Sequence, residues 1–250
     1  MKVSLIVSTY NSKDFIKDCL DSILEQCYNN IEIIIIDGKS TDGTVELLKS
    51  YCNLNSNIFL VSEKDRGIYD ALNKGVCKAS GELIGFVHSD DFLATSTIIS
   101  EISKKIIMEN LDGIYGDLHY VHKHNTNKII RKWESCDFNR SLLKNGWMPA
   151  HPTFFLKKSV YEKHGLFDLN YSISSDYDFM LRVLLDETLK FGYLPKIIIK
   201  MRVGGISNRN LSSIIKKSLE DYRAIKKNNV GGYITLIKKN LSKVKQFFKN

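Results

Sequence analysis

Short apolar runs alternate with stripes of helical spacing along the first part of the chain. Val3 to Ser8 is long enough for a strand buried on both faces, and polar Thr9, Tyr10, Asn11 and Ser12 follow it. From Lys13 to Gln26, the residues Phe15, Ile16, Cys19, Leu20, Ile23 and Leu24 recur at helical spacing and predict an amphipathic helix. Ile31 to Ile36 is a second strand, closing at Asp37. Residues 38–44 then turn the chain, with Ser40 or Asp42 as cap of a helix that runs to about Tyr51. Ile58 to Val61 is a third strand, followed by a polar stretch and a helix from Ile68 to Ala79. Leu83 to Val87 is a fourth, and a further helix is expected from Ser96 to Glu109. Strand and helix alternating through short links predict a parallel sheet wrapped by helices.

In such a sheet the carboxyl ends of the strands share one edge, where open α/β folds bind ligands. Three of these ends are polar: Thr9-Tyr10-Asn11, Asp37, and Ser89-Asp90-Asp91. The adjacent carboxylates Asp90 and Asp91 suit a hard cation, because Mg²⁺ or Mn²⁺ on a diphosphate is held by only one or two protein carboxylates. The same pair also suits the plainer task of shaping a turn or capping the helix near Ser96. No Gly-x-Gly-x-x-Gly follows the first strand, which excludes a dinucleotide-binding Rossmann loop.

Composition narrows the class. With 250 residues, 43% of them hydrophobic, the chain supports a substantial core in one large α/β domain or two small ones. The net charge of +8 suits nucleic acid, an anionic membrane surface or an anionic substrate. Five scattered cysteines form no Cys-x-x-Cys pair, which points to a reducing compartment. The first apolar run is too short for a signal-peptide core, and no later run reaches spanning length, so a cytoplasmic location is expected.

The ordered motifs carry a family resemblance. Val-Ser-Leu-Ile-Val-Ser-Thr-Tyr-Asn at 3–11, Ile-Ile-Ile-Asp-Gly-Lys-Ser-Thr-Asp-Gly-Thr at 34–44 and His-Ser-Asp-Asp at 88–91 resemble family 2 glycosyltransferases of the GT-A fold. Ser-Glu-Lys-Asp-Arg-Gly-Ile-Tyr-Asp-Ala-Leu-Asn-Lys-Gly at 62–75 resembles the branch that builds bacterial surface polysaccharides. The resemblance covers roughly residues 1–210: a nucleotide-binding part over 1–91 and an acceptor-binding part over 92–210, with 211–250 as a basic helical extension. It implies a mostly parallel central sheet flanked by helices, a nucleotide-diphosphate sugar donor, Mn²⁺ or Mg²⁺, and inversion at the anomeric carbon. By the same implication Thr9, Tyr10, Asn11, Asp37, Asp65, Gly67, Asn73, Lys74 and Asp90 surround the donor. Among them Asp37 meets the base and Asp90 the ribose, while Asp91 ligates the metal. His88 stands where many relatives carry Asp or Asn, so the first carboxylate of an Asp-x-Asp motif is absent.

The second half reads less regularly. Gly113 to Val121 and Lys128 to Trp133 predict a hairpin, in which His119, His122 and His124 read as exposed hairpin histidines rather than a zinc site. Trp147 and His151, in the loop at 145–153, suit a sugar acceptor, with core packing the alternative for Trp147. Lys196 to Met201 is a late strand, and Gly204-Gly205-Ile206-Ser207 resembles a segment that closes over the donor.

An inverting transfer needs a base, and Asp176 and Asp178 open one helix. They point about 200° apart, and Asp178 has Arg182 at ion-pair spacing, which leaves Asp176 as the candidate; the resemblance agrees. Near the C-terminus Tyr233, Ile234, Ile237, Leu241, Val244 and Phe248 form a helical stripe among lysines. This suits an amphipathic helix on anionic lipid, or one docked on the domain with its lysine face in water. The reading that results is a glycosyltransferase acting on a glycan or polyprenyl-diphosphate-linked saccharide acceptor in surface polysaccharide assembly. A nucleotidyltransferase is the enzymatic alternative and would want a glycine-rich basic loop after the first strand. A basic nucleic-acid-binding module is the other alternative. It rests on charge alone and lacks any reader motif, so no nucleic-acid partner is expected.

Overall fold

The computed structural model describes residues 1–204 and 211–245 of the chain. The four expected strands β1 (Val3–Thr9), β2 (Ile31–Asp37), β3 (Ile58–Ser62) and β4 (Leu83–Phe86) lie parallel in the order β3-β2-β1-β4. β1 and β2 are buried along their whole lengths, which is why they read as unbroken apolar runs. Between the strands run α1 (Ile16–Leu24), α2 (Thr44–Leu54) and α3 (Ile68–Lys78). Asp42, not Ser40, takes the Thr44 amide at the start of α2, because Ser40 is engaged by Asp37. Side chains alternate across β1. Val3, Leu5 and Val7 join the core on the α1 face, and Ile6 joins the core on the α3 face. A Cβ on Gly75 would stand 2.3 Å from the Ile6 side chain, so α3 reaches the sheet only as a glycine there.

The remaining elements are β5 (Phe92–Leu93), α4 (Ile98–Met108), the hairpin β6 (Gly113–Val121) and β7 (Ile129–Trp133), β8 (Phe155–Lys157), α5 (Lys158–His164), α6 (Ser175–Leu184) and β9 (Phe191–Arg202). They extend the sheet to nine strands, as β8-β6-β9-β5 with β7 beside β6. The expected parallel pairing holds through β3-β2-β1-β4 and again between β6 and β9, and the other pairs of the sheet are antiparallel. β8 slots between β4 and β6 and pairs antiparallel with both. β9 starts earlier than the expected Lys196 because its register along β6 jumps from Leu194 to Ile197. The strand passes Pro195 as a bulge instead of ending there.

The chain closes with α7 (Leu211–Lys227) and α8 (Tyr233–Lys245), and α7 packs against α6. Gly205, Ile206 and Ser207 of the expected closing segment lie outside the described residues. No helix among the described residues is long and apolar enough to cross a membrane.

Candidate functional site

The carboxyl ends of β1, β2 and β3 are tied into one surface by short contacts. The Gly38 amide donates to the Thr9 carbonyl at 2.9 Å, and the Glu63 amide to the Asp37 carbonyl at 3.0 Å. The Asn11 amide donates to Ser40 Oγ at 2.8 Å, and Asn11 Oδ1 accepts from the Thr41 amide at 2.9 Å. A Cβ on Gly38 would lie 2.7 Å from Asp65 Oδ2 and 3.2 Å from the Tyr10 ring, so the lack of one lets these side chains meet over the second turn. Asp65 Oδ1 accepts from the Gly67 amide at 2.9 Å, and the Tyr10 ring is exposed.

Three residues expected around the donor are committed elsewhere. Asp37 is fully buried; its oxygens accept from the Ser40 amide and hydroxyl and from the Ser62 hydroxyl. Both ends of the Asn73 amide bond the Phe167 backbone at 2.9 Å. Lys74 Nζ reaches Glu63 at 2.9 Å and the Lys64 carbonyl at 3.1 Å. In this structure all three shape the loops of the surface.

The acidic turn after β4 joins the first turn through a 2.8 Å hydrogen bond between Ser12 Oγ and Ser89 Oγ, and His88 Nδ1 lies 3.3 Å from Ser8 Oγ. Asp91 is only 1% exposed. Its Oδ1 accepts from the Arg202 amide at 3.2 Å, and its Oδ2 has no hydrogen-bond partner among the described residues. Burial, reinforced by Asp90 and opposed by Arg202, pushes the Asp91 carboxyl well above the usual carboxylate range. Asp90 is half-buried; its backbone carbonyl accepts from Arg202 Nη1 at 2.7 Å. Arg202 also pairs with Asp18 and bonds the Lys123 carbonyl at 3.1 Å, so one buried guanidinium locks this turn to α1 and to the β6–β7 hairpin.

Facing this edge, α6 separates its two aspartates as their angular spacing requires. Asp176 Oδ1 accepts from the Tyr69 hydroxyl at 3.0 Å, and that hydroxyl also reaches the Ile173 carbonyl. Burial and the Asp176 charge push the Tyr69 phenol well above its ordinary value, so it stays a donor. Asp178 is fully buried, with Arg182 Nε at 3.1 Å and Asn228 Nδ2 at 3.0 Å. His151 stacks on Phe86 with centroids 5.3 Å apart and lies 6.3 Å from the His88 ring. Burial lowers its imidazole to about 4, so it is neutral near pH 7. Trp147 packs against Phe138 and Tyr115 at 5.7 and 5.6 Å, which is the core-packing alternative for it.

Of the buried polar atoms that lack a hydrogen-bond partner among the described residues, Thr9 Oγ1, Asp91 Oδ2 and His151 Nε2 belong to the candidate site residues. Each such orphan costs roughly 1–3 kcal/mol. Each is a group that a polar ligand would complete. Among the described residues, no group of three or more His, Cys, Asp or Glu forms a self-contained metal site. His122 instead orders its own turn, accepting from the His124 and Asn125 amides.

Several positioning residues were not picked out from the sequence: Tyr69, Arg202 and Glu220. Glu220 of α7 accepts from the amides of Ser172, Ile173 and Ser174, the segment that leads into Asp176. Tyr69 lies inside the motif at 62–75 and carried a local signal. Arg202 and Glu220 act across 111 and 46 residues of sequence and had none.

Comparison with known proteins bears on the family and the fold. The sequence profile described as "Glycosyl transferase family 2" matches residues 4–166. A PGL/p-HBAD biosynthesis glycosyltransferase of Mycobacterium bovis is 30% identical over 208 residues, covering 82% of this chain and 78% of its own. A glycosyltransferase of Haemophilus influenzae is 28% identical, covering 94% and 75%. Among solved structures, S. aureus TarS 1-349 in complex with UDP-GlcNAc superposes with a TM-score of 0.73 at 20% identity, over 92% of this chain and 66%, just under two thirds, of that 1-349 chain. A mannosyltransferase of Pyrobaculum calidifontis in complex with GDP-Man and Mn²⁺ gives 0.66 at 18% identity, over 95% and 68%. At those identities the structural likeness establishes the fold alone, which is GT-A.

Proposed function

The chain belongs to glycosyl transferase family 2, and we propose that it transfers a sugar with inversion, aided by a divalent cation, from a nucleotide-diphosphate sugar to a hydroxyl of a glycan or polyprenyl-diphosphate-linked saccharide. The observation that carries this reading is that Asp90 of the acidic turn and Asp176 of α6 both act on the His88 imidazole, whose ring lies 6.3 Å from that of His151. The unit that does the work is residues 1–210, with 211–250 appended. Thr9, Tyr10, Asn11, Asp65 and Gly67 form the face for the nucleoside; Asp37, Asn73 and Lys74 hold that face in shape.

The cation belongs to the acidic turn. A free carboxylate beside a diphosphate fits Mn²⁺ or Mg²⁺, which then takes its other ligands from phosphate and water. The inward burial of Asp91 shifts this role, expected of Asp91, to the half-buried Asp90, with the unpartnered Asp91 oxygen behind it. The ion's contribution is to neutralise charge on the departing nucleoside diphosphate. Asp176 accepts the acceptor hydroxyl's proton as that oxygen attacks the anomeric carbon opposite the leaving group, which inverts the centre. Tyr69 holds the Asp176 carboxylate in place, and neutral His151 offers Nε2 to an acceptor hydroxyl.

A panel of nucleotide sugars tests the reading. At least one, together with Mn²⁺ or Mg²⁺, is expected to raise the melting temperature and to release its nucleoside diphosphate slowly. Indifference to every nucleotide sugar, or pyrophosphate release from a nucleoside triphosphate and a sugar phosphate, would overturn it.

A further inference from the structure

The last helix is packed inside out. α8 turns polar groups to the domain: Thr235 Oγ1 donates to the Lys144 carbonyl at 3.1 Å, and Lys238 Nζ to Asn145 Oδ1 at 2.9 Å. Lys239 is 1% exposed; it pairs with buried Asp221 at 2.6 Å and sits 3.3 Å from the Tyr177 ring centroid. The apolar residues Tyr233, Ile234, Ile237 and Leu241 point away and are 68, 71, 57 and 57% exposed. On α7, Ile215 and Leu219 are similarly exposed, and Tyr222 stacks on Tyr233 at 4.3 Å, which joins the two stripes. A helix that faces water does the reverse, burying its apolar stripe and solvating its lysines. A contiguous exposed apolar face of this kind marks an interaction surface.

Charge selects the partner. Residues 211–250 contain ten Lys and Arg against two Asp and Glu. That excess equals the chain's whole net charge of +8, so residues 1–210 are balanced. The two acids, Glu220 and Asp221, are committed within the fold, to the 172–174 amides and to Lys239. We propose that the face formed by α7 and α8 docks on an anionic lipid surface. Its apolar side chains enter among the headgroups and its exposed lysines, Lys216 and Lys226 among them, meet lipid phosphates. A second copy of this chain fits worse, because it would set two basic faces against each other. Leu219 adjoins Glu220, which grips the segment leading into Asp176, so docking brings the start of α6 towards the lipid. Resting on the transferase reading, this makes the acceptor a membrane-held, lipid-linked saccharide.

The test uses the full chain and phosphatidylcholine vesicles with and without phosphatidylglycerol. The protein is expected to sediment with the anionic vesicles alone and to dissociate as salt rises. The triple variant Ile234→Ser, Ile237→Ser, Leu241→Ser should lower binding at least ~10-fold, since the apolar area that enters the lipid is gone. Its melting temperature and donor hydrolysis should not change, because all three side chains are exposed. Equal binding by the variant, equal binding to neutral vesicles, or no binding would overturn the proposal. So would a dimer in sedimentation velocity that the variant dissolves. Donor hydrolysis without vesicles checks the transferase reading separately, so either can fail alone.

Discussion

Asp176→Asn and Asp178→Asn lie two residues apart on α6 and are expected to fail in opposite ways. Asp178 is fully buried between Arg182 and Asn228, with Lys227 at 3.3 Å. Removing one member of a buried pair costs about 3–5 kcal/mol, because the other charge is left uncompensated. The lower end applies here. Arg182 keeps its bonds to the His164 and Leu166 carbonyls, and Lys227 keeps Asp168 at 3.0 Å. A loss of ~3 kcal/mol lowers the melting temperature of a chain this size by about 6–12 °C. Asp176 is half-buried, and an asparagine there still accepts from Tyr69. Asp176→Asn should therefore melt within about 2 °C of the parent, a change of under ~0.5 kcal/mol. Its sugar transfer should fall at least ~10²-fold, the lower range for loss of a general base. Thermal melts, donor titration and an acceptor assay on the two variants read all of this. Near-normal transfer by a folded Asp176→Asn, or a stable and inactive Asp178→Asn, would refute the assignment.

Glu220→Ala should reduce kcat roughly tenfold or more with the donor KM unchanged, since it releases the 172–174 amides and lets Asp176 drift; full activity in the alanine variant would reduce Glu220 to a structural contact. For the cation, Asp90→Asn should abolish the Mn²⁺-dependent stabilisation by a nucleoside diphosphate, and Asp91→Asn should retain part of it at lower stability; the reverse order restores Asp91 as the ligand. For pH, His151 titrates near 4 when folded and near 6.5 when unfolded, so on acidification the unfolded chain takes the proton first. Its contribution to stability is full above pH 6.5 and declines towards pH 4 by up to ~3 kcal/mol. His151→Phe should flatten that slope in melts across this range, and an unchanged slope would show that another group carries it.

The parts legible in advance were those whose signal is local. β1 and β2 are buried on both faces, so periodicity had little to confuse, and the Asp178–Arg182 pair followed from helical spacing alone. What escaped notice depends on partners far along the chain. Asp37 reads as an open carboxylate until Ser62, on the next strand, is seen to donate to it. Whether Asp90 or Asp91 faces inward is set by Arg202, more than a hundred residues away. The strand expected over Lys196 to Met201 begins at Phe191, because nothing local reveals that β6 tolerates a bulge opposite Pro195.

The C-terminal helix shows most clearly where local reading stops. Its period identifies an apolar stripe opposite a basic one, but not which stripe meets the domain. The two expectations were a helix with its apolar stripe in lipid, and a helix docked on the domain with its lysines in water. The structure combines them: α8 is docked, yet by its polar face. The choice turns on Asp221, which offers Lys239 a buried partner, and on Tyr177, whose ring covers the ammonium. Tyr177 follows Asp176 directly, so the contact that holds the apolar stripe outward is made on the helix that carries the candidate base. Disrupting it should therefore disturb vesicle binding and sugar transfer together. Lys239→Met puts an uncharged side chain of similar length over Tyr177 and leaves Asp221 without its cation. Loss of vesicle binding and transfer in that variant, with donor hydrolysis retained, is the expected result; loss of neither would show that α8 keeps its orientation without the buried pair.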